Sequence, residues 1–155
     1  MPLRIEKLFL DINGRSTLRL ANSLEDPTRI DPGPLWIEGD KFAVQIYPVE
    51  VVGSAVRTLT IPADYTCTLT AKRLDEQNDV ELFSHALVPE QRQGGHGAFI
   101  GVVDLSNQDI TDTLALDDAD LASGVRLRVQ ALIAAPDSSE ILRPSFIVIL
   151  RSKID

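Results

Sequence analysis

Residues 65–72 read YTCTLTAK. Tyr65, Cys67, Leu69 and Ala71 alternate with Thr66, Thr68, Thr70 and Lys72. A period of two gives a strand one buried face and one wet face, the habit of an antiparallel sheet. The same alternation recurs along the chain. KFAVQIY (41–47) sets Phe42, Val44 and Ile46 against Ala43, Gln45 and Tyr47, and RTLTI (57–61) puts Leu59 and Ile61 on one face. VELFSHAL (80–87) and AFIGVVDL (98–105) follow as further strands. GVRLRVQALI (124–133) turns Val125, Leu127, Val129, Ala131 and Ile133 inward and leaves Arg126, Arg128 and Gln130 outward. FIVILRSKI (146–154) is an apolar run, expected as a strand covered on both faces. Turn signals fall every ten residues or so, the rhythm of an antiparallel sandwich.

Two segments depart from this rhythm. LFLDI, Asn13-Gly14 and RSTLRL suggest an opening hairpin, since Asn-Gly suits a two-residue turn with positive φ. The proline-rich ANSLEDPTRIDPGP (21–34) then reads as a connection. Residues 1–34 are therefore expected either to pack as a hairpin on the domain or to reach a neighbour as an arm. SNQDITDTL (106–114) is the one predicted helix, with Ser106 as its cap, Asp109 three residues on, and Ile110 and Leu114 on one face.

The chain has 155 residues, enough for one domain with a real core. Hydrophobic residues make up 44% and charged ones 25%, which is ordinary globular composition and argues against disorder. Fifteen basic residues against 23 acidic ones leave a net charge of −8, which disfavours nucleic acid and anionic membranes as partners. No run has the length of a signal peptide or a membrane span, so a soluble protein made in a cytoplasm is expected. Cys67 stands alone and reads as a small core residue.

GGHGAFIG (94–101) invites a phosphate-loop reading and fails it. The dinucleotide fingerprint needs its third glycine at position 100, and this chain has Gly101. A strand-like run follows instead of a helix, so the stretch is expected to be a hairpin tip. His85 and His96 flank that hairpin without metalloprotease spacing. Asp117, Asp118 and Asp120 lack the remaining ligands of a calcium loop. No Gly-x-Ser-x-Gly elbow is present. Trp36, the only tryptophan, sits between Leu35 and Ile37 and suits a core better than a sugar platform. No catalytic constellation, cofactor or metal site is expected.

One layout rises above composition. LWIEGDKFAVQIYP, IPADYTCTLTAKR, GAFIGVVDLSNQDITDTL and VRLRVQALIAAPDSSEILRPSFIVILRSKI follow one another over residues 35–154. The carrying positions are Gly39-Asp40, then Gly101, Asp104, Leu105 and Ser106, then Ser145, Phe146, Val148 and Ile154. This series resembles small all-β virion proteins of tailed bacteriophages. It is also similar in layout to the N-terminal immunoglobulin-like domain of siphophage upper baseplate proteins. The resemblance implies a non-enzymatic structural protein of the virion, made in the host cytoplasm. No stem helix or receptor-binding region follows residue 155, so the expectation is a capsid decoration protein or a tail or baseplate adaptor.

The fold expected for the chain is thus all-β: an immunoglobulin-like antiparallel β-sandwich of about eight strands, one domain over 1–155, with one short helix near 106–114. Its partners would be other virion proteins and further copies of itself. Interface residues are expected at Trp36, at the outward Leu132, and at Phe146 and Val148 of the two-sided strand. The alternative is a carbohydrate-binding module for cell-surface glycan, which requires an exposed Trp36. An enzyme built on His85 and His96 is the remaining rival.

Overall fold

The computed structural model describes residues 4–12, 35–52, 55–59, 61–62, 64–74, 81–91, 97–106, 110 and 122–152. Ten strands occur among them. They are β1 (Ile5–Asp11), β2 (Leu35–Ile37), β3 (Lys41–Val52), β4 (Ala55–Thr58), β5 (Thr66–Arg73), β6 (Glu81–Gln91), β7 (Gly97–Asp104), β8 (Val125–Ala134), β9 (Ile141–Leu142) and β10 (Ser145–Arg151). The chain is all-β, and the strands form one curled sheet in the order β1-β3-β7-β6-β5-β8-β10-β2. β4 pairs with β3 and β9 with β8, off that path.

The alternation read from the sequence is what curls this sheet around a single core. Phe42, Val44 and Ile46 of β3 are fully buried, as are Cys67, Leu69 and Ala71 of β5 and Leu127, Val129, Ala131 and Ile133 of β8. They belong to one cluster with Leu8, Leu10, Phe99, Val103, Phe146, Val148 and Leu150. Leu59 and Tyr65 pack partly against it.

β6 is the strand on which the curl turns. Its first part pairs with β5, from Lys72↔Glu81 to Cys67↔Leu87. Its last part pairs with β7, from Val88↔Ile100 to Gln91↔Gly97. The handover at Leu87 and Val88 divides the sheet into a β3 half and a β8 half facing each other across the core. Gly101 makes room for it: a Cβ there would collide with Leu87 Cδ2. Gly97 likewise lies against Ile61, with 3.1 Å from a built Cβ to the Ile61 backbone nitrogen. Two of the four glycines in 94–101 are therefore strand residues in close contact, and the rest of the predicted tip, residues 92–96, lies outside the described residues.

The sheet is mixed, not purely antiparallel. β1 runs parallel to β3, from Ile5↔Ala43 to Asp11↔Val49, and β2 runs parallel to β10. Each edge strand pairs with a strand far from it in sequence. A parallel pair needs a crossover connection of a dozen or more residues, and residues 12–40 between β1 and β3 have that length. The expected hairpin partner RSTLRL and the rest of 13–34 lie outside the described residues. Residues 5–11 are part of the sheet, not an arm. β2 and β9 are short strands absent from the expectation.

The predicted helix at 106–114 falls largely outside the described residues. Within it Ile110 is buried in the core, and Ser106 hydrogen-bonds Asp104 through both its backbone N–H and its hydroxyl. FIVIL is not covered on both faces. Phe146, Val148 and Leu150 are buried, while Ile147 and Ile149 are half-buried on the outer side.

β2 turns into β3 through Glu38, Gly39 and Asp40. The Asp40 N–H donates to Ile37 O at 3.1 Å, and Gly39 takes φ +89°. Positive φ at the third position of such a turn is the conformation glycine adopts without strain. This turn delivers Trp36 inward, where it meets Phe42 at 5.5 Å and Phe83 at 6.1 Å between ring centroids. Replacing Trp36 with alanine is expected to cost about 3–5 kcal/mol, because a large void opens where both halves meet. Urea denaturation followed by far-UV circular dichroism measures this, and a loss under about 1 kcal/mol contradicts the packing described.

Candidate functional site

Of the four expected interface residues, three are buried. Trp36 has no exposed surface, because its backbone pairs with Leu150 on β10 and the pleat turns the indole into the core. Phe146 and Val148 are buried by the same alternation, opposite Val129 and Leu127 on β8. Leu132 does lie on the outer side and is half-buried, opposite Thr68 on β5.

Trp36 instead centres a polar seam between the two edge strands. Its indole N–H donates to Glu6 Oε1 on β1 at 3.4 Å. Arg4 Nη1 donates to Asp40 Oδ2 at 2.8 Å, and Arg4 Nη2 lies 3.7 Å from Glu6 Oε2. The Arg4 guanidinium also sits 4.8 Å over the Phe42 ring. Burial raises the Glu6 carboxyl above its ordinary range; the Trp36 N–H and the Arg4 charge act against this without cancelling it. The aromatic row continues outward, with Phe83 and His85 stacked at 4.7 Å. His85 thus occupies a half-buried place on the core side of β6, opposite Leu69. His96 lies outside the described residues, as do Asp117, Asp118 and Asp120. Cys67 is a core residue, and burial pushes its thiol up to about 12. No group of three or more histidine, cysteine or acidic side chains able to hold a metal occurs among the described residues.

The outer faces carry the remaining surface chemistry. On the β3 half, Ile5, Ala43 and Val102 form one cross-strand row over β1, β3 and β7. The next row joins Lys7, Gln45, Ile100 and Val88. Val88 is 62% exposed, Ile5 54% and Val102 43%. Along the same face Phe9 stacks on Tyr47 at 4.9 Å and forms a separate small cluster with Val49. The sequence reading followed the inner faces and passed over this one. Its signal was present in AFIGVVDL, where Ala98, Ile100 and Val102 make the outward positions as apolar as the inward ones.

The β8 half is polar outside. Thr70 and Ser84 hydroxyls lie 3.3 Å apart, and exposed Arg126, Arg128 and Arg151 stand near one end. At the other end, the Tyr65 hydroxyl donates to Glu140 Oε1 at 3.0 Å. That bond comes first among the influences raising the Tyr65 phenol above its ordinary range, followed by desolvation and the charges of Glu140, Asp64 and Asp137. Asp137 accepts from Ser139, and these bonds hold its carboxyl below the usual carboxylate range.

The seam makes a pH-dependent prediction. A carboxyl whose folded pKa exceeds its unfolded value binds more protons when folded within that window, so stability falls as pH rises through it. Glu6→Gln keeps an acceptor for the indole and removes this term. The variant is expected to gain stability relative to the natural chain as pH rises from about 4 to about 7 in paired urea titrations. A constant difference across that range contradicts the burial assigned to Glu6. Comparison with protein-family models and with curated proteins finds no match to this chain.

Proposed function

We propose that this chain is a non-enzymatic structural subunit of a tailed-phage virion, a capsid decoration protein or a tail or baseplate adaptor. In this reading its all-β sheet is an immunoglobulin-like β-sandwich, and its work is protein–protein assembly with other virion proteins and with further copies of itself. Its place is the virion, after synthesis in the host cytoplasm.

The observation that carries the reading is the apolar outer face of the β3 half. Ile5, Val102 and Val88 are exposed together over β1, β7 and β6, beside half-buried Ile100. Contiguous apolar surface on an outer sheet face marks an interaction site, whereas scattered single residues need no explanation. The layout resemblance over residues 35–154 supplies the kind of partner. The glycan-binding alternative loses its platform, because Trp36 is buried. The enzyme rival has His85 stacked on Phe83 at the edge of the core.

The test is native mass by light scattering after size exclusion, over a concentration series. The expected result is a stable oligomer at a small multiple of 17.0 kDa. A mass of 17.0 kDa at every concentration overturns self-assembly.

A further inference from the structure

The β8 half of the sheet is charged unequally along its length. Toward the start of β8, Arg126 and Arg128 project outward, and Arg151 on β10 stands beside them. All three are exposed, and none takes part in an ion pair among the described residues. Arg128 is set directly opposite Lys72, an arrangement of like charges that destabilises a strand pair. Glu81 lies opposite Lys72 at the margin, so the patch rests on the three arginines. The acids of the β5–β6 connection, Asp75, Glu76 and Asp79, lie outside the described residues. Exposed Leu35 and half-buried Ile149 share the row of Arg126.

Beyond the far end of β8, Asp64, Asp137 and Glu140 gather around Tyr65, and all three acids are exposed. Ile141, 43% exposed, adjoins them. Arg143, in the turn from β9 to β10, sits between the two ends. Eight residue steps from Arg126 to Ala134 span about 27 Å of strand. That exceeds the Debye length of about 8 Å at physiological ionic strength, so the two clusters do not neutralise each other within one molecule. The two exposed clusters are complementary in charge, and each has an apolar residue beside it.

We infer that copies of this chain associate head to tail, with Arg126, Arg128 and Arg151 of one copy docking on Asp64, Asp137 and Glu140 of the next. The inference rests on the assembly role proposed above and names its self-contact. Such a contact uses two different patches, so it generates rings where the rotation closes and open chains where it does not.

The test is a charge swap read by sedimentation velocity and light scattering. One variant carries Arg126→Glu with Arg128→Glu, and the other Asp137→Lys with Glu140→Lys. Each alone is expected to associate at least about tenfold more weakly than the natural chain. An equimolar mixture is expected to regain association, because one variant then offers acid at both ends and the other base. That regain also shows that both variants fold. Natural-chain assemblies should dissociate toward 17.0 kDa when salt is raised to about 1 M. Assembly that both variants keep unchanged overturns this contact and leaves the assembly role standing. A mixture that stays at 17.0 kDa overturns the pairing, and a natural chain that never associates overturns contact and self-assembly together.

Discussion

The burial of one indole ring is the constraint on which the rest of this fold depends. A sheet that curls on itself must seal its core where its two edge strands approach, and here those strands are β1 and β2. Trp36 fills that place. Its ring touches Phe42 on β3 and Phe83 on β6, so it contacts both halves of the sheet at once. Its N–H cannot be buried without a partner, and Glu6 on β1 supplies the acceptor. Glu6 is thereby drawn out of water, and Arg4 and Asp40 complete the polar seam at the surface. The exposed Arg4 pair adds little stability by itself. Its guanidinium sits over Phe42 and beside Glu6.

The opposite side of the curl has a different solution. β6 serves both halves in turn, and Gly101 supplies the space into which Leu87 packs at the handover. Between these two closures, strict alternation sorts side chains into a core and two outer faces. The core is apolar from both halves. The outer faces differ: one is apolar over β1, β7 and β6, and the other carries hydroxyls along β5 with opposite charges toward its ends. The surface chemistry is therefore a by-product of the same pleat that builds the core.

Much of this was legible in the sequence because period-two patterns are local. In β5 and β8 the alternation marks the inward sets, and these are buried except Tyr65 and Val125, which pack partly against the core. Cys67 as a core residue followed from the same pattern. The interface residues were not legible, for a geometric reason. Whether Phe146 and Val148 or Ile147 and Ile149 face outward depends on the register of β10 against β8, a long-range fact that an apolar run does not encode. Trp36 suits a core by its apolar neighbours and is also an interface candidate, and the pleat of β2 buries it. The parallel edges were also invisible, since pairing between distant strands leaves no local mark. Gly97 and Gly101 looked like turn residues because a glycine that accommodates a neighbour is indistinguishable in sequence from one that bends the chain.

Trp36 is the only tryptophan, so its fluorescence reports this one site. The most direct measurement follows a urea titration by Trp36 emission and by far-UV circular dichroism on the same samples. The seam described here requires blue-shifted emission in the native chain and a transition that coincides with the loss of strand signal. Red-shifted native emission, or a fluorescence change that precedes the loss of strand signal, would contradict the claim that the indole seals the curled sheet.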